Sequence, residues 1–255
     1  MGGYIMKYRF FFVFLVSLGA VFSFVAQLAA ANLTVMPTSL RIAPPKAADI
    51  VTIRNEGRRP VKMQIRLFRW EQKGGKDVYH PAQGVVATPP FITIKGGADG
   101  NIRVIRTAKT AVSGTESYRL IIDELPSSRV RARVKGQAAS VEVVTRQILP
   151  VFFTSTPEPG GNHGGGAAAP RLSFRAQAAR GGYEITAING SRAVLRIGAV
   201  SLWAGGTEIG RSGRSVGNVL PKSEVKFFVP AKGGGKPQEI RVLEGKGIEG
   251  TYPLQ

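Results

Sequence analysis

The sequence predicts an all-β protein made of two sandwich domains in tandem. Three observations lead there. Short runs of strand-forming residues recur along the chain with Gly, Pro or Ser at their ends. Beyond the first 31 residues no window carries a convincing helix of about ten residues or more. Finally, Pro157 to Pro170, PEPGGNHGGGAAAP, sustains neither a ladder nor a helix, so it divides the chain. The boundaries are a leader over 1–31, an N-terminal domain over 32–156, a linker over 157–170 and a smaller C-terminal domain over 171–255.

The leader has a basic start at Lys7 and Arg9, an apolar run from Phe10 to Val25, and a small-residue cleavage site at Ala29-Ala30-Ala31. That order reads as a cleaved signal peptide, with no stable membrane insertion afterwards. Asn32 to Ile42 alternates weakly around Pro37. Asp49 to Asn55 and Val61 to Trp70 follow as strands, separated by the turn Glu56-Gly57-Arg58-Arg59-Pro60. In the second of them Val61, Met63, Ile65 and Leu67 share one face, and Lys62, Gln64 and Arg66 the other, as in a half-buried strand. His80 falls in a Tyr-His-Pro turn. Phe91 to Ile94, Asn101 to Thr107 and Tyr118 to Leu125 continue the series. Beyond the linker, strands are expected at Tyr183 to Ile188, Val194 to Leu202, Val225 to Val229 and Glu239 to Val242, with a turn at Asn189-Gly190-Ser191.

Val141 to Phe153, VEVVTRQILPVFF, stands apart as the longest such run. At roughly 3.3 Å per residue it would extend about 43 Å, well above the usual strand. Val141, Val143, Thr145, Gln147, Leu149, Val151 and Phe153 would share one face. Pro150 cannot donate to a ladder, which argues for an edge there. A long apolar edge is ordinarily an aggregation hazard, so this one reads as built to pair with another protein.

Composition narrows the function further. There is no cysteine, which excludes a zinc–thiolate site and a cysteine nucleophile and leaves stability to burial alone. Only His80 and His163 are present, and they lack a ligand spacing; no G-x-S-x-G elbow, P-loop or dinucleotide fingerprint occurs. The expectation is a non-enzyme with no metal and no cofactor. Formal charge is +19, of which Lys7 and Arg9 contribute two, leaving +17 after the leader. Such an excess suits an acidic partner. The basic residues are spread through strands instead of forming a tail, which argues against nucleic acid. An exported basic sandwich that binds anionic cell-surface glycans or polymers is the alternative reading.

Several blocks of the chain resemble a known family. They are Asn55-Glu56-Gly57, Trp70, Ala87-Thr88-Pro89-Pro90-Phe91, Arg103 and Arg106 in NIRVIR, Glu116-Ser117-Tyr118-Arg119-Leu120, and Asp123-Glu124-Leu125-Pro126. VEVVTRQILPVFF and Tyr183-Glu184-Ile185 with Asn189 complete the set. In order and spacing they resemble the periplasmic pilus-assembly chaperones of the chaperone–usher system, across essentially the whole mature chain. Tyr118-Arg119-Leu120 with Ile148-Leu149-Pro150 is more similar to the archaic, spore-coat-like branch.

This resemblance implies two immunoglobulin-like domains set as a boomerang, a periplasmic location, and partners that are pilin subunits and an outer-membrane usher. The long strand would complete a subunit that lacks its last strand, with Val141 and Val143 inserting and Thr145 behind them. Ser127 to Ala139 would be the loop before that strand. Family members hold the subunit's C-terminal carboxylate with basic residues in the cleft. Here Pro150 falls where a lysine is expected, so Arg119 is the first choice for the anchor, with Arg146, Arg106 and Arg41 in reserve. Glu124 matches the acidic member of an interdomain ion-pair network, although Thr154 stands where its arginine would be. Whether the free protein caps itself as a dimer stays open.

Overall fold

A computed structural model of the chain describes residues 33–126, 144–156, 172–232, 235–244 and 247–254. The predicted leader, the loop Ser127 to Ala139, Val141, Val143 and the predicted linker fall outside them. The described residues contain strands and no α-helix, arranged as two immunoglobulin-like β-sandwich domains.

In the N-terminal domain one sheet holds β1 (Leu33–Met36), β3 (Ala48–Asn55), β8 (Asp99–Arg106) and β6 (Val85–Thr88), in that order. The other runs β2 (Leu40–Ile42), β10 (Arg146–Thr154), β9 (Thr115–Leu125), β4 (Val61–Lys73) and β5 (Lys76–Pro81), with β7 (Phe91–Ile94) also on β4. Two-residue alternation builds the core. Val51, Ile53, Ile102 and Val104 of the first sheet pack against Met63, Ile65, Leu120, Ile122, Leu149 and Val151 of the second, all buried.

The second domain pairs β11 (Leu172–Ala179), β12 (Gly182–Asn189) and β17 (Ser223–Pro230), then β13 (Leu195–Ile197) with β16 (Gly217–Val219). Its remaining sheet is β15 (Thr207–Arg211), β14 (Ala199–Ala204), β18 (Glu239–Glu244) and β19 (Gly247–Pro253). The single strand expected over Val194 to Leu202 is thus two. Gly198 lies between them, where any Cβ would overlap the Leu243 carbonyl, so the chain changes sheets at its one side-chain-free point.

Three further expectations are corrected. β4 runs on to Lys73 and turns at Gly74-Gly75, both at positive φ. His80 then lies in β5 opposite Arg69 and not in a turn; an edge strand tolerates the proline beside it. In the described part of the long run, from Val144 onward, strand begins at Arg146. Thr145 precedes it, half-buried, with its N–H donated to the Glu124 carboxylate at 3.1 Å and its carbonyl accepting from the Glu124 N–H at 2.9 Å. Glu124 itself sits opposite Met63, at the end of β9 away from the second domain, and among the described residues no interdomain contact passes through it.

Apolar packing and an amide close the domain junction instead. Trp70 and Phe152 of the first domain form one buried cluster with Val194 and Leu220 of the second. The Gln72 side chain donates to the Asn218 carbonyl at 3.0 Å and accepts from the Leu220 N–H at 2.8 Å. At the hairpin tip the Lys226 N–H donates to the Gly75 carbonyl at 3.2 Å. A Cβ on Gly75 would overlap the Lys226 side chain, so the two backbones approach only with glycine there.

The motif asparagines also find a structural use. Asn55 and Asn189, both fully buried, each donate to loop carbonyls in their own domain: Asn55 to Arg59 and Lys95, Asn189 to Ala193 and Leu220. Each thereby satisfies backbone groups that a turn leaves without ladder partners.

Candidate functional site

The edge of β10 is the first element of the site. Along its whole length β10 pairs antiparallel with β9. On its other side β2 pairs in parallel, and only at Val151–Phe153. Among the described residues, Arg146 to Pro150 therefore present an edge with no strand beside it. Ile148 and Val144 are large, apolar and exposed there, at 47% and 45%, while Leu149 on the opposite face joins the core.

That edge leads to a cleft of about 650 Å³ between the domains. Arg41, Lys76 and Arg119 from the first domain and Arg196 and Lys226 from the second line it, with Asp77 the one acid among the described lining residues. Alternation places them: Tyr118 and Leu120 are buried, which turns Arg119 outward, and Leu40 and Ile42 do the same for Arg41. Both guanidinium groups lie over aromatic rings. Arg119 stacks on Trp70 with its Cζ 3.5 Å from the ring centroid, and Arg41 stands 5.1 Å from that of Phe152. The two rings are themselves 6.0 Å apart. Such stacking fixes a planar fork while leaving its edges to recognise an anion.

Arg119 is not fully satisfied among the described residues. Its Nη2 meets the Asp77 carboxylate at 3.5 Å, and its buried Nε has no hydrogen-bond partner among the described residues. Asp77 also accepts from the Tyr79 hydroxyl at 3.3 Å and from the Gln72 amide at 3.1 Å. Burial, and then the Asp77 charge, push the Tyr79 phenol up, so it stays protonated and donating.

Of the four arginines chosen from the sequence, the structure brings Arg119 and Arg41 together and keeps two elsewhere. Arg146 pairs with Asp123, which Arg66 also meets at 2.6 Å. Burial would raise the Asp123 carboxyl, but hydrogen bonds from Arg146 and Arg66 outweigh it and hold the group low. Arg106, whose side chain is 10% exposed, donates to both Glu116 oxygens at 3.0 and 2.8 Å and to the carbonyls of Ala108 and Thr110. Those bonds hold the Glu116 carboxyl below its ordinary range. A carboxyl depressed on folding stabilises above its unfolded pKa and loses that contribution as pH falls through the folded value. Glu116→Gln is accordingly expected to cost about 1–3 kcal/mol at neutral pH, with the deficit shrinking in acid. Urea denaturation at both pH values measures it.

The site can grip an anion and add a strand; among the described residues no three His, Cys, Asp or Glu side chains gather to hold a metal ion. Residues 32–157 match the pili and flagellar-assembly chaperone family, PapD N-terminal domain. The N-terminal domain is a PapD-type chaperone domain. That domain belongs to a family of pilus-assembly chaperones, which are not enzymes. No curated protein is significantly similar to it in sequence. Among solved structures, its fold is similar to the pre-assembly complex of CsuC with the tip adhesion subunit CsuE, from the archaic chaperone–usher Csu pili of Acinetobacter baumannii. That match has a TM-score of 0.64 and 24% identity and covers 88% of this chain and 98% of the other. The CupB2 chaperone of Pseudomonas aeruginosa gives 0.56 at 16%, covering 87% and 100%. The Salmonella enterica complex of SafA pilin with the SafB chaperone gives 0.54 at 12%, covering 87% and 95%.

Sequence reading of this chaperone missed the far wall of its cleft. Arg196 alternates with the core-facing Leu195 and Ile197, and Lys226 with Val225 and Phe227. Alternation shows that such residues face outward, but carries no signal of which other domain they face.

Proposed function

We propose that the chaperone binds pilus subunits along β10 and the residues before it, completes them by strand donation, and passes them to an outer-membrane usher in the periplasm. The observation that carries this is the juxtaposition of an unpartnered edge at Arg146 to Pro150 with a basic cleft at its end. Backbone hydrogen bonds along the edge supply affinity, and alternate side chains enter the subunit's pockets. In an extended strand Val141, Val143 and Thr145 share a face with Leu149; the first two insert, each stabilising the complex by roughly 1.5–3 kcal/mol. The subunit's C-terminal carboxylate meets the Arg119 guanidinium held flat on Trp70, with Arg41 beside it. The likeness to the Csu complex supports placing the chaperone in the archaic branch. In the free chaperone the same edge is available to a second copy, as a self-capping dimer.

Co-expression with the cognate subunit tests the strand. Val143→Asp is expected to cut recovery of soluble subunit about tenfold or more, since a carboxylate replaces an apolar group in a desolvated pocket. Undiminished recovery would mean that the subunit docks elsewhere.

A further inference from the structure

We infer that the cleft holds two anion subsites, the second reading an acidic side chain within the last few residues of the subunit. This rests on the proposed docking of the subunit's C-terminus at Arg119.

The charge balance favours more than one carboxylate. Setting Arg119 and Arg41 aside, three further cationic side chains line the cleft, and Asp77 is the one acid among its described lining residues. The surplus is concentrated away from the anchor. Arg196 on β13 and Lys226 on β17 belong to the second domain, and Lys76 to the tip of the β4–β5 hairpin. Among the described residues neither Arg196 nor Lys76 has an ion-pair partner, and Lys226 has only an exposed Glu184 at 3.5 Å. That contact is of the weak, screened kind. Arg196 and Lys226 each leave a strand between more buried neighbours, so neither can retreat into its own domain's core.

Size and setting agree. About 650 Å³ falls in the range that accommodates whole small molecules, roughly 300–1,000 Å³, far beyond one carboxylate. Walls of low dielectric on both sides focus the field of like charges into the gap. The junction holds the two walls in fixed relation through Gln72 and the Trp70 cluster. A terminal segment bearing one extra Glu or Asp would thus span from the Arg119 wall to the Arg196 wall. Neutral termini would fill only the first subsite, and the cleft would rank subunits by their final residues.

Fluorescence anisotropy on the full chain tests this with a short Thr/Val-rich peptide and its counterpart carrying one Glu near the end, each with a free or an amidated C-terminus. The Glu peptide with a free carboxylate is expected to bind about five- to tenfold more tightly than the plain one. Combining Arg196→Ala with Lys226→Ala should erase that difference and leave the plain peptide within about twofold; both residues are exposed, so the fold survives. Equal affinities, or a preference that persists in the double variant, overturn the second subsite. If amidation changes nothing, the Arg119 anchor falls while the Glu comparison still judges the second subsite. No binding by any of the four at millimolar concentration overturns both.

Discussion

An Arg119→Glu chaperone is expected to recover almost no subunit. Removing one partner of a desolvated charge pair costs about 2–5 kcal/mol, or roughly 30- to several-thousand-fold in affinity, and reversing the charge adds repulsion. Arg119→Lys should recover only part of the loss, because an ammonium lacks the fork that lies flat on Trp70. Arg66→Gln is the control. It disturbs Asp123 outside the cleft and off the β10 edge and should leave carboxylate binding near its normal level. Affinity purification of the chaperone followed by quantification of the co-purified subunit separates the three. Normal recovery with Arg119→Glu would end the anchoring scheme.

Trp70→Ala is expected to destabilise the protein by about 3–5 kcal/mol, the usual cost of emptying a buried tryptophan site. Trp70 is 1% exposed and packs on Phe152, Val194 and Leu220 across the junction. The substitution also strips Arg119 of its platform and leaves its unpartnered Nε in a cavity. Loss should therefore appear twice: as a lower unfolding midpoint, and as earlier unfolding of one domain relative to the other. A variant that unfolds in a single transition at the normal midpoint would show that the cluster does not couple the domains.

Much of the fold was legible because alternation is a strong signal when one face is buried. β7 coincides with the expected Phe91 to Ile94, and β3, β8, β9, β12 and β17 agree within a few residues. Arg119 is picked by resemblance, and the burial of its neighbours Tyr118 and Leu120 is what turns it outward. The failures share a cause, which is dependence on contacts remote in sequence. Gly198 breaks a strand because Leu243 lies against it. His80 continues a strand because Arg69 pairs with it. Glu124 takes Thr145 as its partner because β9 points that end away from the second domain. Gln72 looked like any polar strand residue, yet it joins the domains through Asn218 and Leu220.

The brief parallel pairing of β2 has a consequence for how a guest is measured. Leu40 to Ile42 already occupy β10 from Val151 onward, and Pro150 just ahead has no N–H to offer. On the proposed docking, a segment zipping along Arg146 to Pro150 would halt there, as against a doorstop. Its stopping place, and not its own length, would then decide how many residues remain to reach the arginines, a built-in ruler for the tail of the cargo.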